Sequence, residues 1–339
     1  MSDAPLLEAR GLTKEFLVKP QGSTFARRRP FRAVEDVSVQ LREGRVTAVV
    51  GESGSGKSVL ARMLARTVSP SAGELLVGGK VIDPHQRRDL TYTATVQLVL
   101  QDPFASINPV HPIRHVLERP LIIHGTASRE VPALSKELLE RVALTPGESF
   151  LDRYPHELSG GQLQRVSIAR ALSVRPKVLL ADEPISMLDV SVRLGVLNLL
   201  RDLCDREHLA ILYITHDIAS ARYIADEVLV MYAGQVVEVA EGTDVVDHPR
   251  HPYTQLLVSS VPDPGHQDRV RIQAPSATAF PEEGCRFAPR CPLADDRCRR
   301  QVPELVEIGT GHRVRCWRVE EASVLFSSRN SQKGGGEIT

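Results

Sequence analysis

The sequence predicts an α/β fold, and three observations carry that expectation. The first is Gly51-Glu52-Ser53-Gly54-Ser55-Gly56-Lys57-Ser58, a full G-x-x-x-x-G-K-S loop. It lies between a β-branched apolar run, Arg45–Val50, and a helical apolar pattern over Val59–Ala65. The second is a set of short apolar runs that end on polar residues: Val96–Leu100 before Gln101, Val178–Ala181 before Asp182, and 210–215 before His216. The third is a change of composition after His248, where proline and arginine rise and four of the five cysteines gather between positions 285 and 316. The expected architecture is a P-loop nucleoside-triphosphatase core with an antiparallel β subdomain and a helical insertion. A small, irregular, cysteine-containing C-terminal domain follows it.

The loop carries the first chemistry. Glycines let the backbone wrap close to phosphates with its N–H groups pointing inward, and the helix N-terminus adds positive dipole. Lys57 reaches the outer phosphates and the Ser58 hydroxyl ligates Mg²⁺. The competing reading, a Gly/Ser-rich turn, does not account for a strand before and a helix after.

Taken in order, residues 6–16 read as a strand ending on Phe16, an aromatic face on which a purine ring could stack, or an ordinary packed phenylalanine. Pro20–Pro30 is a loop with Arg27, Arg28 and Arg29, and Arg32 just beyond; a solvated loop is the first reading, with lipid headgroups or a partner second. Val37–Leu41 alternates as a half-buried strand, and Glu43-Gly44 turns into the loop's strand. Pro70–Gly73 breaks the chain before strand Glu74–Val77, and 83–90 is polar loop. Asp102–Pro109 reads as a proline-bounded loop, and 112–123 and 134–143 as helices, so 102–157 forms the helical insertion. A helix is expected from Gln162 to Ser173 and an amphipathic one over Val190–Glu207, with Cys204 a buried small hydrophobe. Glu227–Tyr232 and Gln235–Ala240 form a hairpin at Ala233-Gly234, and Gly242–His248 starts a short helix. From Ser327 the chain is poor in apolar residues and reads as disordered.

Composition excludes several classes. Lysine plus arginine and aspartate plus glutamate both number 42, so overall charge favours neither nucleic acid nor an acidic substrate. No apolar run approaches the ~20 residues that span a bilayer, and no signal peptide opens the sequence, so a cytosolic chain is expected.

Leu158-Ser159-Gly160-Gly161-Gln162 opens a helix with a second anion-binding nest, and one nucleotide rarely needs two. Placed after the phosphate loop and shortly before Val178-Leu179-Leu180-Ala181-Asp182-Glu183, it resembles the ATP-binding subunits of ABC transporters over nearly the whole chain. The resemblance implies that Gly51, Ser53, Gly54, Ser55, Gly56, Lys57, Ser58 and Val59 hold ATP, with Phe16 against the base. Ser58, Gln101 and Asp182 serve Mg²⁺; Glu183 polarises the attacking water; Ser159, Gly160, Gly161 and Gln162 cap the γ-phosphate on a partner subunit. Ser186–Asp189 resembles the family's D-loop, with Met187 where a small residue is usual. His216 matches the histidine that contacts the γ-phosphate. Gln101–Pro109 and the stretch from His248 to Pro264 are similar to the oligopeptide/dipeptide importer branch, and the basic early loop with Arg119-Pro120-Leu121 to its F-type rather than D-type subunit.

The resemblance thus implies an ATPase powering a di- or oligopeptide importer, with nickel or oligosaccharides as other solutes. It implies a homologous D-type ATPase partner, two permease chains and, indirectly, an extracytoplasmic binding protein, on the cytoplasmic face of the inner membrane. Residues 1–247 would be the ATPase domain, 248–322 the branch-specific extension and 323–339 the tail. Two other classes compete: a soluble ABC-type ATPase of translation or DNA repair, which usually has two tandem cores or a long coiled-coil insertion, and a redox- or metal-responsive regulator with the cysteines as sensor.

Cys285, Cys291, Cys298 and Cys316 have the spacing C-x5-C-x6-C-x17-C. A cytosolic chain disfavours disulfides, which leaves zinc, an iron–sulfur cluster or no metal; structural zinc usually uses close C-x₂₋₄-C pairs, absent here. The segment from Gly284 to Pro292 also resembles the branch's C-terminal stretch, which implies a [4Fe–4S] cluster. Arg286, Arg290, Arg297 and Arg299 would offset its charge or be solvated surface.

Overall fold

The computed structural model describes residues 4–19, 29–85, 89–260, 281 and 283–324. Arg27, Arg28 and most of the expected disordered tail lie outside the described residues. The chain begins with β1 (Leu7–Val18), β2 (Arg29–Leu41), β3 (Val46–Val50), α1 (Lys57–Leu64), β4 (Ala72–Val77) and β5 (Lys80–Ile82). It continues through α2 (Leu90–Thr95), β6 (Val96–Val99), α3 (Pro103–Ser106), α4 (Ile113–Ile123), α5 (Val131–Arg141), α6 (Glu148–Leu151) and α7 (Gly160–Leu172). Next come β7 (Val178–Asp182), α8 (Val190–Glu207), β8 (Ala210–Thr215), α9 (Ile218–Ile224), β9 (Glu227–Tyr232) and β10 (Gln235–Glu241). The last elements are α10 (Asp244–Asp247), α11 (Pro252–Ser259), α12 (Asp296–Arg300), β11 (Val306–Gly309) and β12 (His312–Val314).

Two compact units divide these elements. The first comprises Met1–Lys14, Ser38–Thr47 and Ser58–Thr215. In it, β1 pairs antiparallel with β4, Leu7 opposite Val77, and β4 with β5. β6, β7 and β8 run parallel, with Val96 opposite Val178 and Val178 opposite Ala210. β7 and β8 are buried along their whole length, which is why they read as continuous apolar runs rather than alternating ones. The stretch after Gln101, expected as loop, contains α3: the Asp102 carboxylate accepts the N–H groups of Phe104 and Ala105, and Pro103 occupies the first turn. An aspartate cap followed by proline starts a helix as readily as it ends one. α2, capped by Asp89, starts on Leu90, the last residue of the expected polar loop, and fills the stretch before β6.

The second unit comprises Glu15–Val37, Ala48–Lys57 and His216–Thr339. β9 and β10 form the expected hairpin, and Ala233 and Gly234 both take positive φ (49° and 86°), as a two-residue turn of right-twisting strands requires. The C-terminal part is less irregular than expected. α11 follows β10, and β12 pairs with β10, Val314 opposite Glu238, and with β11. The fully buried Glu238 carboxylate accepts the N–H groups of Arg250 and His251 at 2.7 and 2.8 Å and contacts His312 Nε2 at 2.8 Å, so one side chain ties the start of α11 and β12 to β10. Tyr232, Tyr253 and Phe287 form an aromatic cluster with centroids 4.6 to 5.5 Å apart. Each such ring pair adds about 0.5–1.5 kcal/mol beyond its buried area. Arg32 pairs with Glu15 and Glu35 at 2.7 and 2.6 Å, so this part of the basic loop is neutralised within its own unit.

Candidate nucleotide-hydrolysis site

The G-x-x-x-x-G-K-S loop runs from the end of β3 to the second residue of α1, and two of its glycines are required by close approach. A Cβ on Gly51 would lie 2.1 Å from the Met231 carbonyl oxygen, and one on Gly56 (φ +102°) 2.3 Å from that of Ala33. Gly54 takes φ +80° with open space at its Cβ position, so there it is backbone geometry that selects glycine. The buried Lys57 ammonium donates to the carbonyls of Gly51 and Glu52 at 2.7 and 2.9 Å. Ser55 Oγ is buried without a hydrogen-bond partner among the described residues, a polar atom facing a cradle that a phosphate fits. Glu52 is held from outside the loop: its N–H donates to the Tyr253 hydroxyl at 2.8 Å, and its carboxylate receives both Nη atoms of Arg290.

In the first unit, Ser58 Oγ donates to Asp182 Oδ1 at 2.9 Å. Asp182 closes the apolar strand β7 and is 3% exposed. A hydroxyl and a carboxylate side by side are the hard oxygen donors that Mg²⁺ takes, so these residues fit that ion. Glu183 takes a left-handed backbone (φ 47°) and is pinned by its N–H to the Ile214 carbonyl at 3.0 Å. Its carboxylate accepts Gln101 Nε2 at 3.2 Å. Gln101 and Glu183 are thereby brought together, 82 residues apart in sequence.

Ser159 caps α7 reciprocally. Its hydroxyl accepts the Gln162 N–H at 3.3 Å while Gln162 Oε1 accepts the Ser159 N–H at 3.0 Å. A Cβ on Gly161 would meet Val192 Cγ1 at 2.4 Å, so the helix start approaches α8 only because that residue is glycine. Val59 is in α1. Phe16, in β1, is 37% exposed, and His216 is an exposed residue directly after β8.

None of the five cysteines forms a disulfide, and Cys204 is fully buried as expected. Burial, and after it the neighbouring thiols, push the Cys291 thiol up to about 11 and the Cys316 thiol to about 12. Cys285 is raised for the same reasons, and its N–H donates to the Cys298 carbonyl at 2.7 Å. Among the described residues no group of three or more His, Cys, Asp or Glu stands where it could hold a metal ion. Of the four arginines expected to offset a cluster or face solvent, Arg299 is exposed and the other three have partners. Arg286 pairs with Glu35, Arg290 with Glu52, and Arg297 lies 3.5 Å over the Trp317 ring. Sequence reasoning missed the Tyr253 and Arg290 contacts, because a tyrosine and an arginine in an extension carry no pattern that names a partner two hundred residues away.

The comparisons with known proteins agree with this geometry. Residues 34–186 match the ABC transporter family, and residues 237–298 match the oligopeptide/dipeptide transporter C-terminal region. The chain is 41% identical to the oligopeptide transport ATP-binding protein AppF of Bacillus subtilis over 322 residues, 92% of this chain and 96% of that protein. It belongs to the ATP-binding subunits of ABC transporters, in the oligopeptide/dipeptide branch. A second relative in this family, the dipeptide transport ATP-binding protein DppF of Haemophilus influenzae, is 41% identical over 326 residues, 94% of this chain and 98% of that protein. Among solved structures, the ATP-binding cassette MJ0796, a dimer bound to ADP and Pi, matches with TM-score 0.59 and 26% identity over 69% of this chain and 98% of that one. The cbiO1 subunit of Clostridium perfringens matches with TM-score 0.61 and 25% identity over 72% of this chain and 92% of that one. The ABC subunit is an ATPase. Among its described residues no helix is long and apolar enough to cross a membrane.

Proposed function

We propose that this ABC subunit hydrolyses ATP to power import of di- or oligopeptides through separate permease chains. The observation that carries the reading is the Ser58–Asp182 contact at 2.9 Å with the Gln101–Glu183 pair at 3.2 Å in the same unit. Lys57 exchanges its two loop carbonyls for the outer phosphates, and the loop N–H groups cradle the rest. Ser58 and Asp182 hold Mg²⁺, which when bound neutralises phosphate charge. Glu183 takes the proton of the attacking water, and Gln101 holds that carboxylate in place. His216 contacts the γ-phosphate and Phe16 stacks on the base.

Ser159, Gly160, Gly161 and Gln162 act on ATP bound to a partner, a reading supported by the similar cassette that is a dimer bound to ADP and Pi. The partner is a homologous D-type subunit, and ATP binding closes the two subunits on each other. The pair docks on two permeases at the cytoplasmic face of the membrane, and an external binding protein supplies the solute. Peptides as solute are supported by the oligopeptide/dipeptide C-terminal match and by the relatives' names. The domain boundaries remain 1–247 for the ATPase domain, with its insertion at 102–157, and 248–322 for the extension.

The four cysteines 285, 291, 298 and 316 hold a [4Fe–4S] cluster of structural role, with zinc the alternative. What supports this reading is four cysteines outside any disulfide within one 32-residue segment, thiolates being the ligands such a cluster takes.

The test is purification of the tagged subunit from native membranes, followed by reconstitution. Two multi-span proteins should copurify, and ATP hydrolysis should rise when peptide-loaded binding protein is added. Recovery without membrane proteins would exclude the importer reading, and stimulation by nickel or an oligosaccharide instead of peptide would change the solute alone.

A further inference from the structure

Within the second unit, the phosphate loop and the cysteine segment are joined by two residues far apart in sequence. Arg290 Nη1 and Nη2 donate to Glu52 Oε2 and Oε1 at 2.9 and 3.1 Å, a bidentate pair that fixes orientation as well as distance. The arginine side chain is 7% exposed and the glutamate 40%, so water screens the pair from one side only. The Tyr253 hydroxyl, fixed in the aromatic cluster, accepts the N–H of the same glutamate at 2.8 Å. Both the side chain and the main chain of Glu52 are therefore held from outside the loop.

Arg290 is itself braced. Its guanidinium lies 5.7 Å from the ring centroids of both Tyr232 and Phe287. Burial opposes its charge, but Glu52 and Tyr232 outweigh burial and keep the group more firmly protonated than usual. A second arm runs from Arg286, next to Cys285. It reaches the Glu35 carboxylate and the Ala233 carbonyl. The Glu35 N–H donates to the Gly234 carbonyl at 2.8 Å, and the Gly234 N–H to the Ser55 carbonyl at 2.9 Å. The arginines just inside the Cys285–Cys291 turn thus reach both halves of the phosphate loop.

We propose that Arg290 and Arg286 are positioning residues for ATP: the Cys285–Cys291 turn is a strut that holds the phosphate loop in its binding shape. Nucleotide affinity then reports whether the cysteine segment is folded. The inference rests on the assignment of Gly51–Ser58 as the ATP site. An exposed ion pair adds almost nothing, but this one is bidentate, buried on one side and attached to a loop whose N–H groups must converge on phosphate. Releasing it gives the free loop more conformations, and binding must then order them again. The groups that act on the γ-phosphate stay where they are, so the effect falls on binding.

The experiment uses the full chain and a fluorescent, slowly hydrolysed ATP analogue with Mg²⁺. Arg290→Ala and Glu52→Gln should each raise Kd roughly five- to tenfold, since ordering costs return on binding. The double variant should be no worse than the weaker-binding single one, the signature of residues acting as a pair. Steady-state KM should rise likewise, with kcat at saturating ATP within about twofold, the split expected when binding alone is lost. Arg290→Lys should recover only part, because a point charge cannot grip two oxygens. Arg300→Ala, an exposed arginine of the same segment, should leave Kd unchanged. Lys57→Ala separates this inference from the site assignment. If it abolishes binding while Arg290→Ala and Glu52→Gln bind normally, or if their effects simply add, the strut is overturned and the site stands. If Lys57→Ala binds normally, the site assignment itself fails. Glu52→Gln alters a loop side chain without touching the aromatic cluster, so it decides the matter even where Arg290→Ala does not fold.

Discussion

Ser58 Oγ and Asp182 Oδ1 stand 2.9 Å apart, joining the first turn of α1 to the last residue of β7. Each is the residue where an apolar element stops and chemistry begins. Asp182→Asn keeps the size and a hydrogen bond but removes the charge that draws in a divalent ion. It should weaken Mg²⁺-dependent nucleotide binding by roughly 10- to 100-fold, the scale seen when a metal-supporting group is lost. Titrating Mg²⁺ at fixed ATP checks this; an unchanged half-saturation point would take Asp182 out of the metal site.

Glu183 is one residue later, turned off the strand by its left-handed backbone and held by Gln101. Glu183→Gln should bind ATP normally and lose turnover by roughly 10²-fold or more, the scale of general-base loss. Lys57→Ala should lose binding itself. Pre-steady-state binding beside phosphate release distinguishes the two, and normal hydrolysis by Glu183→Gln would remove it as the base.

One phosphate loop and one Ser159–Gln162 helix start per chain leave a site of two halves if the second half works on a partner. The isolated subunit should be a weak ATPase whose specific activity rises with concentration or on adding its homologous partner. Constant specific activity across a hundredfold dilution, alone and undimerised, would overturn the composite site.

Much of this was legible because buried elements announce themselves. Val190–Glu207 and Glu227–Tyr232 fall where their patterns place them, since an amphipathic helix and a fully buried strand leave little freedom in where apolar residues go. The strand-end positions of Asp182 and His216 follow from the same runs. α3, α9 and α11 were missed: each is eight residues or fewer and starts on an Asp or His cap, and in α3 and α11 the next residue is a proline, which sequence reasoning takes for a stop. The partners of Arg286 and Arg290 were also hidden, 251 and 238 residues away, because a charge carries no mark of the charge it will meet.

The cysteine segment gives a prediction of composition. Anaerobically purified protein should be brown, with broad absorption near about 400 nm and about four irons per chain, as thiolate-bound iron–sulfur centres have. Cys291→Ser should lose the iron and loosen residues 285–318 in hydrogen exchange. Colourless protein with stoichiometric zinc and no iron would assign the thiols to zinc instead.

The last prediction concerns pH. His312 Nε2 contacts Glu238 Oε1 at 2.8 Å and Nδ1 contacts Asp244 Oδ2 at 2.9 Å, so both ring nitrogens face carboxylates. Burial pulls the His312 pKa down, but Glu238 and then Asp244 outweigh burial, and the net shift is upward. A histidine raised on folding stabilises fully below its ordinary value of about 6.5, and that stability is lost as pH rises through the higher folded value. The stability that His312 adds should therefore fall between about pH 6 and 8, read as the gap in melting temperature between wild type and a His312 variant by the fluorescence of Trp317, the only tryptophan. Replacing His312 leaves Glu238 buried without its cation, which costs about 3–5 kcal/mol. His312→Gln should thus melt lower at pH 6 and lose the downward slope, leaving the opposite rise that His251 gives, since burial lowers its pKa to about 3 while the unfolded imidazole loses its proton near about 6.5. A gap between wild type and His312→Gln that fails to narrow from about pH 6 to 8 would show that His312 enters the fold uncharged.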